Sequence, residues 1–225
     1  MSAKRKSGAP RRGRPPGQHD TDHTKLRILA AADAEFAANG LEGARVNDIA
    51  QRAGINKRML YSYFGNKEAL WLRVLERAYA ARRGAERDID IRRMAPDEAL
   101  EALIRFNFRY CRDHPEFIAL LDNENLHRAE YLRQSDEVRD LHTPLLGMLG
   151  ELLERGVAEG LFRPGVAPMQ LYITLASLSY FYFSHRWTLS TIFAAELGDE
   201  ALIRAREDHI VEVILSYLRA PQQHL

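Results

Sequence analysis

Apolar positions recur at steps of three and four along most of the chain, and no stretch alternates apolar with polar as a half-buried strand does. Leu29, Ala32 and Phe36 mark one face of a first helix over about 24–39, and Asn39-Gly40 ends it, because glycine tolerates positive φ after a last turn. Val46, Ile49, Ala50 and Ala53 give a short second helix over about 46–53, stopped by Gly54. Asn56 caps a third over about 57–64 by accepting a backbone N–H, and Asn66 caps a longer fourth that starts at Lys67. Further on, Pro96-Asp97-Glu98 is a good first turn, with proline at the first position and carboxylates at the positive end of the dipole. Pro115 opens a short helix through "EFIALL". A longer pattern covers about 135–159, with Pro144 as a bend and Gly160 as its stop. Pro168 opens a helix to about 187 that is apolar nearly all round. The last runs over about 199–219, with Ile203, Ile210, Ile214 and Leu218 on one face.

The pattern predicts an all-α protein in three parts. Residues 1–22 are a basic disordered arm, 23–70 a three-helix unit, and 71–225 a larger helical domain. A helix that is apolar on every side must be covered on every side. For 168–187 one side falls to its own domain and the other to a second copy, with the stripe of 199–219 completing a four-helix interface across a twofold. A central core helix of a monomer is the alternative.

Charge sharpens the division. Residues 1–80 hold 15 Lys+Arg and 8 Asp+Glu, a net of +7, whereas 81–225 hold 17 against 23, a net of −6. A polyanion is therefore the expected partner of the first part alone. Within the arm, "RGRP" has the form of a minor-groove hook in which Arg12 and Arg14 flank a glycine; a general phosphate-attracting tail fits it equally. No run approaches the roughly 18 apolar residues of a membrane span. A start without a signal-type apolar stretch and a single cysteine, Cys111, fit a reducing cytoplasm, and a DNA partner would place the protein on the nucleoid. Cys111 reads as a small buried hydrophobe or, with nothing nearby to argue for it, a redox sensor.

Two short helices joined by a glycine-containing turn make a helix-turn-helix. A two-turn helix has too little propensity to stand alone, so Ile55, Leu60 and Phe64 must hold the third helix, leaving Arg58, Tyr61 and Ser62 on its outer side. Cations there neutralise phosphates while tyrosines reach sugar-phosphate or a thymine methyl.

The block 26–70 resembles the DNA-binding domain of the TetR (tetracycline repressor) family of bacterial transcription regulators. The likeness rests on Ile28, Leu29, Ala31, Ala32, Phe36 and Gly40, on "VNDIAQRAGI" and on "LYSYFGNKEAL". The resemblance implies a homodimer on a palindromic double-stranded DNA operator, usually a repressor, released when a small-molecule effector fills the C-terminal domain. Carried over by position, Lys57, Tyr61, Tyr63 and Lys67 would contact phosphates, and Arg58 and Ser62 would face bases. Asn56 belongs to the same surface as the cap of that helix. Arg45 stands where the family often has a capping threonine; a lost cap costs roughly 1 kcal/mol, although arginine can meet phosphate itself. Arg58 stands for a small residue and Gly65 for a proline.

An enzyme and an architectural DNA protein are the rival readings. His19 and His23 are the one histidine pair at an i, i+4 spacing, and with no HExxH, no cysteine pair and no phosphate loop, no catalytic residue, metal or cofactor is expected. Glu124 and His127 form one weak ligand-like pair. The size of the apolar C-terminal part argues against a protein that only bends DNA. Phe106, Asn107, Tyr110, Phe117, Asn123, His127 and Tyr172 are candidate effector-lining residues, although an aromatic stripe is more often core.

Overall fold

A computed structural model describes residues 16–219, with side chains from residue 21 on. Among the described residues ten α-helices run in order: α1 Pro16–Gly43, α2 Val46–Arg52, α3 Lys57–Phe64, α4 Lys67–Arg87, α5 Pro96–Asp113, α6 Pro115–Leu126, α7 Asp136–Ala158, α8 Pro168–Ser184, α9 Arg186–Phe193 and α10 Glu200–Leu218. A 3₁₀ turn, Leu132–Gln134, precedes α7. Among the described residues the one β-type contact is a bridge between Phe162 and Arg219. Arg12 and Arg14 lie outside the described residues. The helical backbone reaches back to Pro16, so the end of the segment read as a disordered arm belongs to α1; proline at a first helical position loses no hydrogen bond.

Two apolar cores divide the fold. The N-terminal core gathers Ile28, Ala32 and Phe36 of α1, Ile49 of α2, Leu60 of α3 and Leu70, Trp71 and Leu75 of α4. The C-terminal core joins Leu100, Leu103 and Phe108 of α5 with Leu149 of α7, Leu175 of α8 and Ile210 and Ile214 of α10. Caps set the boundaries. Asn56 Oδ1 accepts from Met59 N–H at 2.8 Å, Asn66 Oδ1 from Ala69 N–H at 2.6 Å and Ser135 Oγ from Val138 N–H at 3.3 Å.

The apolar helix of 168–187 is interrupted. α8 stops at Ser184, His185 leaves helical geometry (φ −107°, ψ 7°), and α9 follows as a separate element. Leu171, Leu175, Ser179 and Tyr182 of α8 are buried in the chain, while Met169, Ile173 and Phe181 are exposed. The stripe Ile203, Ile210, Ile214 and Leu218 on α10 faces the chain's own core rather than a second copy; the exposed apolar residues of α10 are Leu202, Val213 and Tyr217. Periodicity identified that face correctly but could not say what covers it.

α6 is a second link between the two cores, beside α4. Leu120 of α6 belongs to the N-terminal core. Asn123 Oδ1 accepts from Leu41 N–H at 2.9 Å, just after Gly40 takes φ 65° and ψ 178° to kink α1. That corner of backbone space is essentially closed to side chains, and a Cβ at Gly40 would also run into the Asn123 amide. Gly40→Ala should therefore lower stability by about 1–3 kcal/mol, seen as a lower urea midpoint at fixed protein concentration. An unchanged midpoint would mean that the kink constrains nothing.

Candidate nucleic-acid interface and effector cavities

α3 is held from beneath by Leu60, fully buried, and by the partly buried Ile55, Tyr63 and Phe64. Its outer side shows Lys57, Arg58, Met59, Tyr61 and Ser62. Lys57 Nζ lies 5.6 Å from the centre of the Tyr61 ring, so a cation and an aromatic ring form one surface. The helix carries no carboxylate along "KRMLYSYF", and nothing on it opposes a polyanion. Tyr63 packs against the core, apart from the exposed Tyr61. Lys67 sits at the edge, its Nζ donating to the Glu42 carbonyl at 3.2 Å.

α2 has no side-chain cap at Arg45, as the missing threonine suggested. A tertiary contact takes part of that role. Glu35, buried on α1, accepts from the Arg45 backbone N–H at 3.2 Å with Oε1, and its Oε2 lies 3.7 Å from Arg52 Nη2. One carboxylate thus ties both ends of α2 to α1 and leaves the Arg45 side chain exposed.

In the larger domain two cavities open along the seam of α4 and α7. One, of about 560 Å³, is lined by Tyr79, Val138, His142, Leu146, Met169 and Tyr172 among others. Burial pushes the Tyr79 phenol up to about 12, and burial also lowers His142, with Arg83 and Arg82 nearby adding to the effect. The other, of about 550 Å³, is lined by Arg83, Glu86, Ile89, Leu141, Leu145 and Met148 among others.

Of the seven candidate effector residues, Tyr172 lines the first cavity. Asn107 accepts from Arg82 and donates to the Leu103 carbonyl at 2.9 Å, fully engaged within the core. Tyr110 and Phe117 carry the Arg82 guanidinium at 5.6 and 5.2 Å from their ring centres, and Phe106 leans on Tyr110. Asn123 holds the α1 kink, and His127 meets Tyr131 edge to face. Glu124 is saturated by Trp71 Nε1–H at 2.8 Å and by the backbone N–H groups of Tyr131 and Leu132. Among the described residues no group of three or more His, Cys, Asp or Glu is placed to hold a metal ion. Sequence reasoning missed Arg82, Arg83 and Glu86. In "AARRGAER" they have the look of a solvated helix face, and only tertiary packing shows them buried.

These elements define a helix-turn-helix DNA-binding protein with a helical regulatory domain. Residues 28–74 match the model of the bacterial regulatory proteins of the tetR family, and residues 96–214 match the tetracyclin repressor-like C-terminal domain. The chain belongs to the TetR family of transcriptional regulators. It is 40% identical over 179 residues to the HTH-type transcriptional repressor NicS of Pseudomonas putida, covering 80% of this chain and 84% of that protein. It is 28% identical over 199 residues to the transcriptional regulator RutR of Escherichia coli, covering 87% and 90%. Among solved structures, a putative transcriptional regulator of Streptomyces coelicolor, SCO4942, superimposes with a TM-score of 0.66 at 26% identity, over 88% of this chain and 99% of that one. The ketosteroid regulator KstR2 of Mycobacterium tuberculosis shares the fold with a TM-score of 0.65 at 23% identity, over 88% and 95%. The protein is accordingly a sequence-specific DNA-binding regulator of transcription.

The Asn56 cap orders the helix that carries the exposed cations, so Asn56→Ala should cost about 1 kcal/mol of stability. It should also weaken operator binding more than Asn39→Ala, a change on α1 away from α3. Equal losses in a fluorescence-anisotropy titration would remove Asn56 from the interface.

Proposed function

We propose that the protein is a repressor that binds a palindromic operator as a twofold homodimer, reads each half-site with α3, and lets go when a small molecule fills a cavity of the α4–α7 seam. The observation that carries this reading is the outer side of α3, where Lys57, Arg58, Tyr61 and Ser62 are exposed together on a two-turn helix without a carboxylate. Lys57 and Tyr61 contact phosphates, with Arg45 and Lys67 at the flanks, while Arg58 and Ser62 face base edges. Tyr63 supports the helix from the core side. Arg12 and Arg14 extend the contact toward a neighbouring minor groove. The second copy covers the exposed apolar faces of α8 and α10, with Met169, Ile173, Phe181, Val213 and Tyr217 at the join.

The twofold fixes the spacing. Half-sites should be centred about 10 bp, or a multiple of that, apart. A monomer at micromolar concentration by sedimentation, together with no operator enriched from random duplexes, defeats the proposal.

Base reading and phosphate contact separate by mutation. Arg58→Ala should relax preference at one base pair by roughly 1–3 kcal/mol. Lys67→Ala should weaken all sequences alike and reduce the salt slope by about one unit. An unchanged selected motif for Arg58→Ala removes arginine from base reading.

A further inference from the structure

The far end of α4 buries more positive charge than it neutralises. Arg82, Arg83 and Glu86 are exposed by only 6%, 3% and 7%. Arg83 Nη1 donates to Glu86, and Arg82 Nη2 donates to Asn107 Oδ1. Three further guanidinium N–H sites, Arg83 Nε, Arg83 Nη2 and Arg82 Nε, are buried and have no protein acceptor. Two cations against one carboxylate leave a formal +1. The charges at the cavity rim do not cancel it: Arg92 and Asp90 each have an ion-pair partner, and Arg87, the remaining charged lining residue, is a further, solvent-exposed cation. Arg92 lies 3.3 Å from Glu151, and Arg93 lies 3.4 Å from Asp90. The neighbouring titratable groups supply no anion either. Burial raises Tyr79 and lowers His142, so both are neutral near pH 7.

A buried, unpaired guanidinium is expensive, and donors of this type are filled either by an internal acceptor or by a ligand. Arg83 lines the cavity of about 550 Å³, whose other walls include Ile89, Leu141, Leu145 and Met148. A planar fork of N–H donors matches the two oxygens of a carboxylate, and the single surplus charge of the buried set calls for a single negative one, Arg87 at the rim being screened by water. The apolar walls suit a ring or a short chain behind it.

We infer that the effector is a small organic monocarboxylate that enters this cavity with its apolar part against Ile89, Leu145 and Met148, and that the buried Arg83 side chain turns toward it to pair its unused N–H groups with the carboxylate. This rests on the effector-controlled reading of the protein. Binding completes the set of Arg82, Arg83 and Glu86 with the missing charge and stiffens the contact between the end of α4 and α7.

The test is calorimetry on the full-length protein at constant ionic strength, with benzoate and hexanoate as probes against their neutral amides and against inorganic phosphate. The carboxylates should bind at least about tenfold more tightly than the amides, as for hydrogen bonds to a charged group. Arg83→Leu should remove that advantage. Glu86→Gln, which keeps the side-chain shape and deletes the internal competitor, should tighten both carboxylates, a gain that a misfolded variant cannot give. Amides binding as well as carboxylates, no carboxylate binding, tighter binding of phosphate, or undiminished binding by Arg83→Leu would each overturn the assignment. Release of a fluorescent operator is scored separately. Carboxylates that bind through Arg83 without releasing DNA leave the site standing and sink effector control, and an uncharged compound that releases DNA does the reverse.

Discussion

The joint between the DNA-reading unit and the rest of the molecule depends on one buried carboxylate. Glu124, at the end of α6, accepts from the Trp71 indole of α4 and from two backbone N–H groups of the turn that leads into α7. A buried carboxylate without such donors would cost several kcal/mol, so its partners are constrained to stay. Asn123 next to it fixes the kink of α1, and Leu120 one turn earlier sits in the N-terminal core. α6 is therefore part of the DNA-binding unit as much as of the larger domain. α1, α4 and α6 meet at Trp71, where Phe36 packs edge to face at 5.1 Å. A close-packed joint of this kind moves as a body rather than bending.

The consequence is a lever with defined attachments. α4 begins at the DNA side with its Asn66 cap and Trp71, and ends beside the cavity with Arg82, Arg83 and Glu86. Midway, Glu76 accepts from Ser135 Oγ at 2.7 Å, and Ser135 is the cap of α7. α7 thus starts where it is tied to α4 and carries Leu141 and Leu145 to the cavity wall further along. On the proposed reading, a molecule seated between them would change the distance between two helices already joined at one end. Such a shift reaches the recognition helices only as far as the ligand prefers the shifted state, and DNA must oppose the ligand by the same factor.

Local chemistry was legible in the sequence; three-dimensional neighbours were not. Asn56, Asn66 and Ser135 stand at helix starts, Gly160 takes positive φ just past the end of α7 and Gly40 at the kink of α1, because caps and glycine stops act over a few residues. The outer side of α3 followed from three- and four-residue spacing in the same way. The stripe on α10 was a correct face given the wrong neighbour, since periodicity reports that a face is covered and not by what. The break at His185 gave no proline or glycine signal, and the backbone turns there inside a run of aromatics. Asn123 had the composition of a pocket residue, yet its acceptor serves Leu41, 82 positions away in sequence. Arg82 and Arg83 resisted for the opposite reason: charged side chains on a helix are nearly always solvated, so their burial is the exception that only packing reveals.

That exception bears on energy as well as place. Replacing a buried ionic set by apolar residues of similar volume is often neutral or stabilising, so Arg82, Arg83 and Glu86 are weak evidence for stability by themselves. Burial pushes Arg83 down and Glu86 up, which expresses the strain of keeping both ionised. Regulation requires a ligand-dependent difference of only about 1–3 kcal/mol between two states, whereas hydrogen bonds to charged groups contribute roughly 1.5–3 kcal/mol each. On the proposed reading, one or two guanidinium donors without an acceptor would therefore be enough to power such a switch. The same donors placed on the surface would be satisfied by water and would confer no preference at all. A switch of the proposed kind would need its incomplete charge set buried, beside a cavity, and on the helix that reaches the DNA-binding unit, and α4 meets all three conditions.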